Sequence, residues 1–207
     1  MCGIAGYLAA DASFEVPARL LDGMVDALAH RGPDDRGTLV DRNVGIGMRR
    51  LSIIDTAGGR QPIANEDGTL AVVYNGELYN HAELRWQLQA AGHAFRTAAD
   101  TEVLVHGFEQ WGLDGLLQRL DGIYTFCLYD RRDRTAYLAR DPIGVKPLYF
   151  THRNGRFAFA SELKGLIHSG LLSAHLQGYC FSTLSRFAGD RAFRKKRGPL
   201  KSRLDLV

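Results

Sequence analysis

The sequence predicts one domain of the α+β class, in which strands near both ends of the chain enclose a helical middle. Short runs rich in Ile, Val and aromatic residues occur before residue 75 and again after residue 122, and Gly, Asn or Asp bounds them. Helical spacing of apolar residues dominates between these two regions. Because strands and helices do not alternate regularly, a layered α+β domain is favoured over a parallel sheet. A length of 207 residues also favours a single domain.

The first half of the chain is predicted to hold three strands and a helix. Ile4–Leu8 is the opening strand, and residues 17–29 form an amphipathic helix because their apolar side chains share one face. The segment HRGPDDRG, residues 30–37, is expected to be a loop. Ile46–Asp55 and Leu70–Tyr74 are predicted strands, since both are rich in Ile, Val and Leu.

The second half is predicted to hold two helices and then four strands. The helices run over about Asn80–Ala91 and Asp100–Trp111, and a glycine follows each one, at Gly92 and Gly112. Beyond residue 122 the pattern changes to short β-rich runs with turn residues between them, which predicts consecutive antiparallel strands. These runs are GIYTFCLYD, TAYLAR, PLYF and FAFAS.

Composition excludes several classes of protein. No apolar run approaches the ~20 residues of a membrane helix, and the N-terminus lacks the basic start of a secretory signal. Cys2, Cys127 and Cys180 are odd in number and widely spaced, so neither a disulfide framework nor a clustered metal site is expected. No HExxH, CxxC or GxxxxGK[ST] spacing occurs. We therefore predict a cytoplasmic protein without membrane association, without a metal site and without a nucleotide site in this domain.

Charge is distributed unevenly along the chain. Residues 177–207 hold eight Lys or Arg and two Asp, a local charge of +6. Subtracting this from the total of +3 leaves −3 on the first 176 residues. A mildly acidic body with a basic tail differs from a nucleic-acid binder, whose charge lies on the folded surface. A nucleic-acid partner is therefore not expected.

Cys2 is the residue that most directly indicates a chemical function. Its small side chain favours removal of Met1, which would place a free α-amine on the residue that carries the thiol. An α-amine of pKa about 7.7–8.0 is partly unprotonated at neutral pH and can accept the thiol proton. Taken alone, Cys2 is better explained as a small buried residue at the start of the first strand.

Other polar residues have both ordinary and functional interpretations. Asn75-Gly76 alone favours a hairpin turn, although an amide side chain and a backbone N–H could also form an oxyanion hole. Arg50 alone is best explained as a solvated charge, but its guanidinium could hold a carboxylate by two hydrogen bonds. Asp100 alone is explained as a helix cap. Glu77, together with Asp100, could receive an ammonium group.

Taken together, these segments resemble the N-terminal domain of class II glutamine amidotransferases, and most closely the glutaminase domain of asparagine synthetases. The resemblance covers about residues 1–170. RLSIID and NGELYN look like the asparagine synthetase branch in particular. The matching stretches, in order, are MCGIAG, HRGPDD, RRLSIID, QPI, NGELYN, DTEVL, DGIYTFCLYD, RDPIGVKPLYF and ASELKGL.

The resemblance implies an N-terminal-nucleophile fold, an αββα sandwich of two antiparallel sheets flanked by helices. It also implies that Cys2 attacks the side-chain amide of L-glutamine to form a thioester, while Asn75 and Gly76 stabilise the oxyanion. Glutamate and ammonia would be the products. No cofactor is implied for this reaction, since ATP and Mg²⁺ belong to a synthetase domain that the sequence does not show.

The resemblance further implies a set of glutamine-binding residues. Arg50 would bind the α-carboxylate, with help from backbone groups near Ile53. Glu77 and Asp100 would bind the α-ammonium. The ammonia would pass to an acceptor such as activated aspartate, on a synthetase domain or a separately encoded subunit. The alternative is a non-catalytic or glutamine-binding fragment of a truncated synthetase.

The resemblance predicts a glutaminase domain over residues 1–172 and stops after about Leu176. Residues 177–207 show no clear periodicity. Three explanations are open: a truncated or frame-shifted remnant, a basic arm, or a segment that packs on a synthetase. The first explanation is favoured, because the pattern is lost where the synthetase domain would continue.

Overall fold

The computed structural model describes residues 1–52, 55 and 58–172, and the backbone of 200–205. Its strands and helices form two five-stranded sheets with helices on their outer faces. The strands are β1 Gly3–Ala9, β2 Asp35–Asp41, β3 Val44–Arg50, β4 Ile63–Ala64, β5 Leu70–Leu78, β6 Gly122–Asp130, β7 Thr135–Arg140, β8 Tyr149–Arg153, β9 Arg156–Ala160 and β10 Leu200–Asp205. The helices are α1 Ala18–Asp26, α2 His81–Ala90, α3 Glu102–Arg119 and α4 Leu163–Ile167.

Both sheets are antiparallel. The first has the order β2-β3-β1-β9-β8, and the second has the order β10-β7-β6-β5-β4. Leu200–Asp205, from the basic tail, pairs with Thr135–Arg140 at one edge of the second sheet. The predicted α+β class and the two antiparallel sheets are therefore confirmed.

Alternation of side chains along the strands produces four layers. In β1, Ile4 and Leu8 face the second sheet, while Ala5 and Tyr7 face α1 and α4. In β5, Val73 faces the first sheet, while alternate neighbours face α2 and α3. Each central strand is thus buried on both faces, which explains why its sequence is almost continuously apolar.

Three of the differences between the predicted and the observed elements concern β2, β3 and α3. β2 lies at Asp35–Asp41, partly within the expected loop, because its mostly polar sequence suits an edge strand that pairs with β3 on one side only. β3 ends at Arg50, before the predicted end at Asp55. Gly112 has non-helical dihedrals, as a helix end requires, but a further helical stretch follows it up to Arg119. None of the helices in the described ranges is long and apolar enough to cross a membrane.

Candidate active site

A cavity of about 150 Å³ lies where the start of β1, the end of β3 and the second half of β5 meet. Six of the seven predicted site residues line it. These are Cys2, Arg50, Asn75, Gly76, Glu77 and Asp100. The seventh, Ile53, lies outside the described residues. A cavity of this size can hold a ligand as large as an amino acid.

Cys2 is held at the wall of this cavity from two directions. The N–H of Leu51 donates to its Sγ at 3.4 Å, and the thiol faces the carbonyl oxygen of Leu51 at 3.6 Å. Arg31 Nε donates to the carbonyl oxygen of Cys2 at 2.9 Å. Met1, which precedes Cys2, also lines the cavity and is 61% exposed. The thiol therefore has a defined position next to open space.

An ion cluster fixes Arg31 in turn. Glu162 accepts a hydrogen bond from Arg31 Nη1 at 2.9 Å and also contacts His30 and Lys164. Burial opposes the charged form of Glu162, but hydrogen bonds from Arg31 and His30 outweigh it and lower its pKa to about 2. Sequence reasoning assigned no role to these residues, because they meet only in the folded chain.

Asn75 and Gly76 do not form a hairpin turn. β5 continues to Leu78, and the two residues pair with Thr125 and Tyr124 of β6, so the turn interpretation is wrong. A Cβ on Gly76 would lie 2.5 Å from the carbonyl oxygen of Ile123, which explains the glycine.

The side chain of Asn75 carries an unsatisfied donor. Asn75 is 2% exposed, and its Nδ2 has no hydrogen-bond partner among the described residues. Buried donors are normally paired, so an orphaned one in a cavity wall is a candidate for binding a ligand oxygen.

Arg50 is buried and held in place, so the interpretation as a solvated charge is wrong. It is 4% exposed, and its Nη2 donates to the carbonyl oxygen of Asp55 at 2.7 Å. A Cβ on Gly59 would lie 2.5 Å from the same nitrogen, so glycine gives the guanidinium its space. The N–H groups of Ala98 and Gly58 donate hydrogen bonds to the Asp55 carboxylate and lower its pKa. These hydrogen bonds fix the position of this loop.

Asp100 lies before α3, but its side chain does not cap the helix. α3 begins at Glu102, and the Asp100 carboxylate accepts hydrogen bonds from the Tyr74 hydroxyl at 2.8 Å and the Leu78 N–H at 3.2 Å. The capping interpretation is therefore wrong. Burial, followed by the nearby Asp100 carboxylate, raises the pKa of Tyr74 well above its usual value. Glu77 acts in the same direction, so two carboxylates flank this side of the cavity.

Sequence reasoning also missed other lining residues, among them Gln61, Thr101 and Lys146. Gln61 donates to Thr101 Oγ1 at 3.2 Å and accepts from the Tyr74 N–H at 2.7 Å, so it joins β5 to the start of α3. Lys146 ends a loop whose N–H groups bond to Asp141. The motifs QPI, DTEVL and RDPIGVKPLYF contain these residues, but nothing in their local spacing indicates a place in the cavity wall.

The cavity thus has a thiol at its wall, an unpaired amide donor and a buried guanidinium for oxygen atoms, and two carboxylates for a cation. A zwitterion with a second carbonyl group has matching charges. The comparison with known proteins agrees: the chain belongs to the family of glutamine amidotransferase domains, whose model matches residues 1–193.

Within that family, asparagine synthetases are similar to most of this chain. Asparagine synthetase [glutamine-hydrolyzing] 2 of Bacillus subtilis (strain 168) is 43% identical over 168 residues, which are 80% of this chain and 22% of that protein. Asparagine synthetase [glutamine-hydrolyzing] 1 of Arabidopsis thaliana is 44% identical over 80% of this chain and 28% of its own length. The chain therefore spans about a quarter of these relatives.

A solved structure extends the comparison to the fold. The glutamine phosphoribosylpyrophosphate amidotransferase from B. subtilis, in complex with ADP and GMP, superposes with a TM-score of 0.69 at 25% identity. The match covers 82% of this chain and 44% of that protein. The predicted N-terminal-nucleophile sandwich is confirmed, and the higher identity to asparagine synthetases supports the predicted branch.

Proposed function

We propose that this chain hydrolyses L-glutamine to L-glutamate and ammonia, with Cys2 as the nucleophile once Met1 is removed. One observation carries the proposal. The buried and unpaired Asn75 Nδ2 lines the same cavity as the Cys2 thiol, so a donor for a developing oxyanion and a nucleophile share one wall.

The reaction follows from these positions. The α-amine of Cys2 accepts the thiol proton, and Sγ attacks the side-chain amide carbon of glutamine. Asn75 Nδ2 and the Gly76 N–H stabilise the negative oxygen of the tetrahedral intermediate. The C–N bond then breaks and the proton leaves with ammonia. Water adds to the thioester carbon and releases glutamate, which returns the thiol.

Substrate binding uses the charges around the cavity. The buried guanidinium of Arg50 binds the α-carboxylate, together with backbone groups near Ile53. Glu77 and Asp100 bind the α-ammonium. Because Tyr74 and Leu78 already hold one oxygen of Asp100, the carboxylate has a fixed orientation before the substrate arrives.

The fate of the ammonia rests on the relatives. Their names describe glutamine-hydrolysing asparagine synthetases, and this chain spans about a quarter of them. We expect residues 1–172 to be the glutaminase domain, and the ammonia acceptor to be a molecule such as activated aspartate on a synthetase domain or subunit. The glutamine half-reaction needs no cofactor, whereas ATP and Mg²⁺ would act in that synthetase. A cytoplasmic location fits this role.

Labelling with a glutamine-analogue electrophile, followed by peptide mass spectrometry, tests the proposal. We expect one adduct on an N-terminal peptide that begins at Cys2. Cys127 serves as an internal control, because its burial raises the pKa of its thiol and leaves it unreactive. An adduct on Cys127, or on a peptide that retains Met1, would overturn the assignment. If a chain with a confirmed Cys2 terminus binds glutamine but releases no glutamate, the binding-fragment alternative is correct.

A further inference from the structure

A second group of polar side chains lies apart from the cavity, between α2, α3 and the turn that precedes β5. We call it the histidine cluster: Glu66, His93, His106 and Glu109. One ligand atom from each of Glu66, His93 and His106 lies within 4.8 Å of the others. Glu109, one turn after His106 on α3, adds a carboxylate oxygen 3.5 Å from His106 Nδ1 and 3.9 Å from His93 Nδ1. None of the four lines the active-site cavity.

In both carboxylates of the cluster, one oxygen is already satisfied by a neighbouring donor. Glu66 Oε1 accepts from the Ala94 N–H at 3.2 Å, and Glu109 Oε1 accepts from Asn65 Nδ2 at 2.8 Å. The remaining Oε2 atoms both face His106 Nδ1, at 3.6 Å and 3.5 Å. The two carboxylates thus each present one oxygen to the same point.

In both histidines, likewise, one ring nitrogen has a partner outside the cluster and the other faces into it. His93 Nε2 bonds to Gln110 Oε1 at 3.1 Å, which makes Nε2 the protonated nitrogen and leaves the Nδ1 lone pair for the cluster. His106 Nε2 faces the buried Glu102 carboxylate at 3.5 Å, so its proton also lies on Nε2. A carboxylate or amide oxygen on the outer nitrogen is the arrangement that orients metal-bound histidines.

His106 Nδ1 is then left as a buried acceptor without a donor. His106 is 1% exposed, and its Nδ1 has no hydrogen-bond partner among the described residues. The groups that face it are carboxylate oxygens of Glu66 and Glu109, and no donor among the described residues reaches it. A buried lone pair turned towards two anions is costly unless a cation lies between them.

We infer that the histidine cluster is a structural Zn²⁺ site. Two nitrogen or oxygen ligands about 2.1 Å from a tetrahedral Zn²⁺ lie about 3.4 Å apart. The separations of 3.5, 3.6 and 3.9 Å in the cluster are close to this edge length. Two imidazoles and two carboxylates suit Zn²⁺ better than Mg²⁺ or Ca²⁺, which prefer all-oxygen ligands. Glu66, His93 and His106 supply three ligand atoms within 4.8 Å of one another, and Glu109 places a further carboxylate beside both histidines.

A metal here would tie three segments together. Glu66 belongs to the turn before β5, His93 follows α2, and the other two ligands lie on α3. The segment between His93 and α3 leads directly to Asp100 and Thr101, which line the active-site cavity. The ion would therefore stabilise the segment that carries these two residues.

Zinc titration of the full chain tests the inference. The chelator-stripped protein is titrated with Zn²⁺ against a chromophoric chelator, in a Cys2→Ala background, because an N-terminal cysteine can itself chelate zinc. We expect one bound ion, with an affinity at least about 10-fold lower in His93→Ala and in Glu66→Ala. His152→Ala, which removes an exposed histidine of β8, is the matched control and should bind as the parent does. Both cluster variants alter residues that are not fully buried, and their metal-free melting temperatures should match the parent.

A second measurement separates a site from surface binding. Zn²⁺ should raise the melting temperature of the parent but not of His93→Ala, and Mg²⁺ should raise neither. Co²⁺ in the Cys2→Ala parent should give a tetrahedral spectrum without thiolate charge transfer. If the parent binds zinc no more tightly than His93→Ala, the inference is wrong, and His106 is an imidazolium paired with its carboxylates. Equal losses of zinc affinity in His93→Ala and His152→Ala would likewise show that the zinc binds only by surface chelation.

Discussion

The active-site cavity and the histidine cluster each contain a buried polar atom without a partner among the described residues, and the two atoms have opposite character. Asn75 Nδ2 is a donor beside a thiol and a guanidinium, whereas His106 Nδ1 is an acceptor beside two carboxylates. An orphaned donor attracts a negative oxygen, and an orphaned lone pair attracts a cation. The charge expected of the missing partner therefore distinguishes the two sites. Asn75 suits the negative oxygen of a reacting amide, and His106 suits a metal ion.

The largest effect is expected when the orphaned donor is removed. Asn75→Ala should lower kcat for glutamine hydrolysis by about 10²–10³, the usual cost of one oxyanion-hole donor. The melting temperature should stay close to that of the wild type, because Asn75 Nδ2 makes no hydrogen bond within the described residues. Steady-state kinetics and thermal unfolding check the two halves of this prediction.

Asn80→Ala is the matched control for Asn75. Asn80 Nδ2 donates to the carbonyl oxygen of Arg119 at 2.8 Å, and its Oδ1 accepts from the Asp121 N–H at 3.1 Å. Its loss should cost about 0.5–1.5 kcal/mol for each bond and leave kcat unchanged. If Asn75→Ala instead behaves like Asn80→Ala, the Asn75 amide is structural and the comparison between the two regions fails.

The next largest effect is expected in the zinc affinity of the histidine cluster. Gln110→Ala removes the acceptor that orients His93 and should weaken zinc binding by about 10-fold, the smaller end of the range for such outer contacts. Glutamine hydrolysis without added zinc should match that of the wild type, because Gln110 does not line the active-site cavity. Competition titration measures the affinity. An unchanged affinity would show that His93 needs no orienting partner, which would contradict the tautomer assigned to it.

The sequence predicted the cavity better than the cluster, for a physical reason. Short runs rich in Ile, Val, Leu and aromatic residues predicted β1, β5 and β6, and with them the strand ends that bring the thiol and the Asn-Gly pair together. The turn interpretation of Asn75-Gly76 failed because pairing with β6, a contact between distant segments, overrode a local preference. Arg50 was misjudged for the same reason, since its burial depends on Gly59 and the Asp55 carbonyl.

The histidine cluster was not predicted, and no metal was expected from the sequence. Its members come from three segments, the turn before β5, the end of α2 and the middle of α3, so no ligand spacing is visible along the chain. The pair His106 and Glu109 lies three residues apart on a helix, a spacing that also occurs in ordinary surface pairs. Only the fold brings Glu66 and His93 to them.

A moderate effect is expected from the hydroxyl that orients Asp100. Tyr74→Phe removes its hydrogen bond to Asp100 and should cost about 0.5–1.5 kcal/mol of stability, with an increase in KM for glutamine because the carboxylate loses its fixed orientation. Tyr129→Phe is matched to it, since the Tyr129 hydroxyl bonds to Asp41 at 3.1 Å outside the cavity. It should cost similar stability and leave KM unchanged. Equal KM values in the two variants would remove Asp100 from the substrate site.

The smallest effect on glutamine hydrolysis is expected at the ion cluster behind Cys2. There Glu162→Gln weakens the support of Arg31. The pKa of Glu162 is lowered from 4.5 to about 2 in the folded chain. Its charged form therefore stabilises the fold fully above pH 4.5, and this contribution is lost as the pH falls from 4.5 towards 2. The difference in unfolding free energy between wild type and Glu162→Gln should be greatest at neutral pH and shrink through that window, and added salt should reduce it. Chemical denaturation at a series of pH values measures the difference. A difference that stays constant with pH would mean that hydrogen-bond geometry, and not the charge of Glu162, holds Arg31 against the carbonyl oxygen of Cys2.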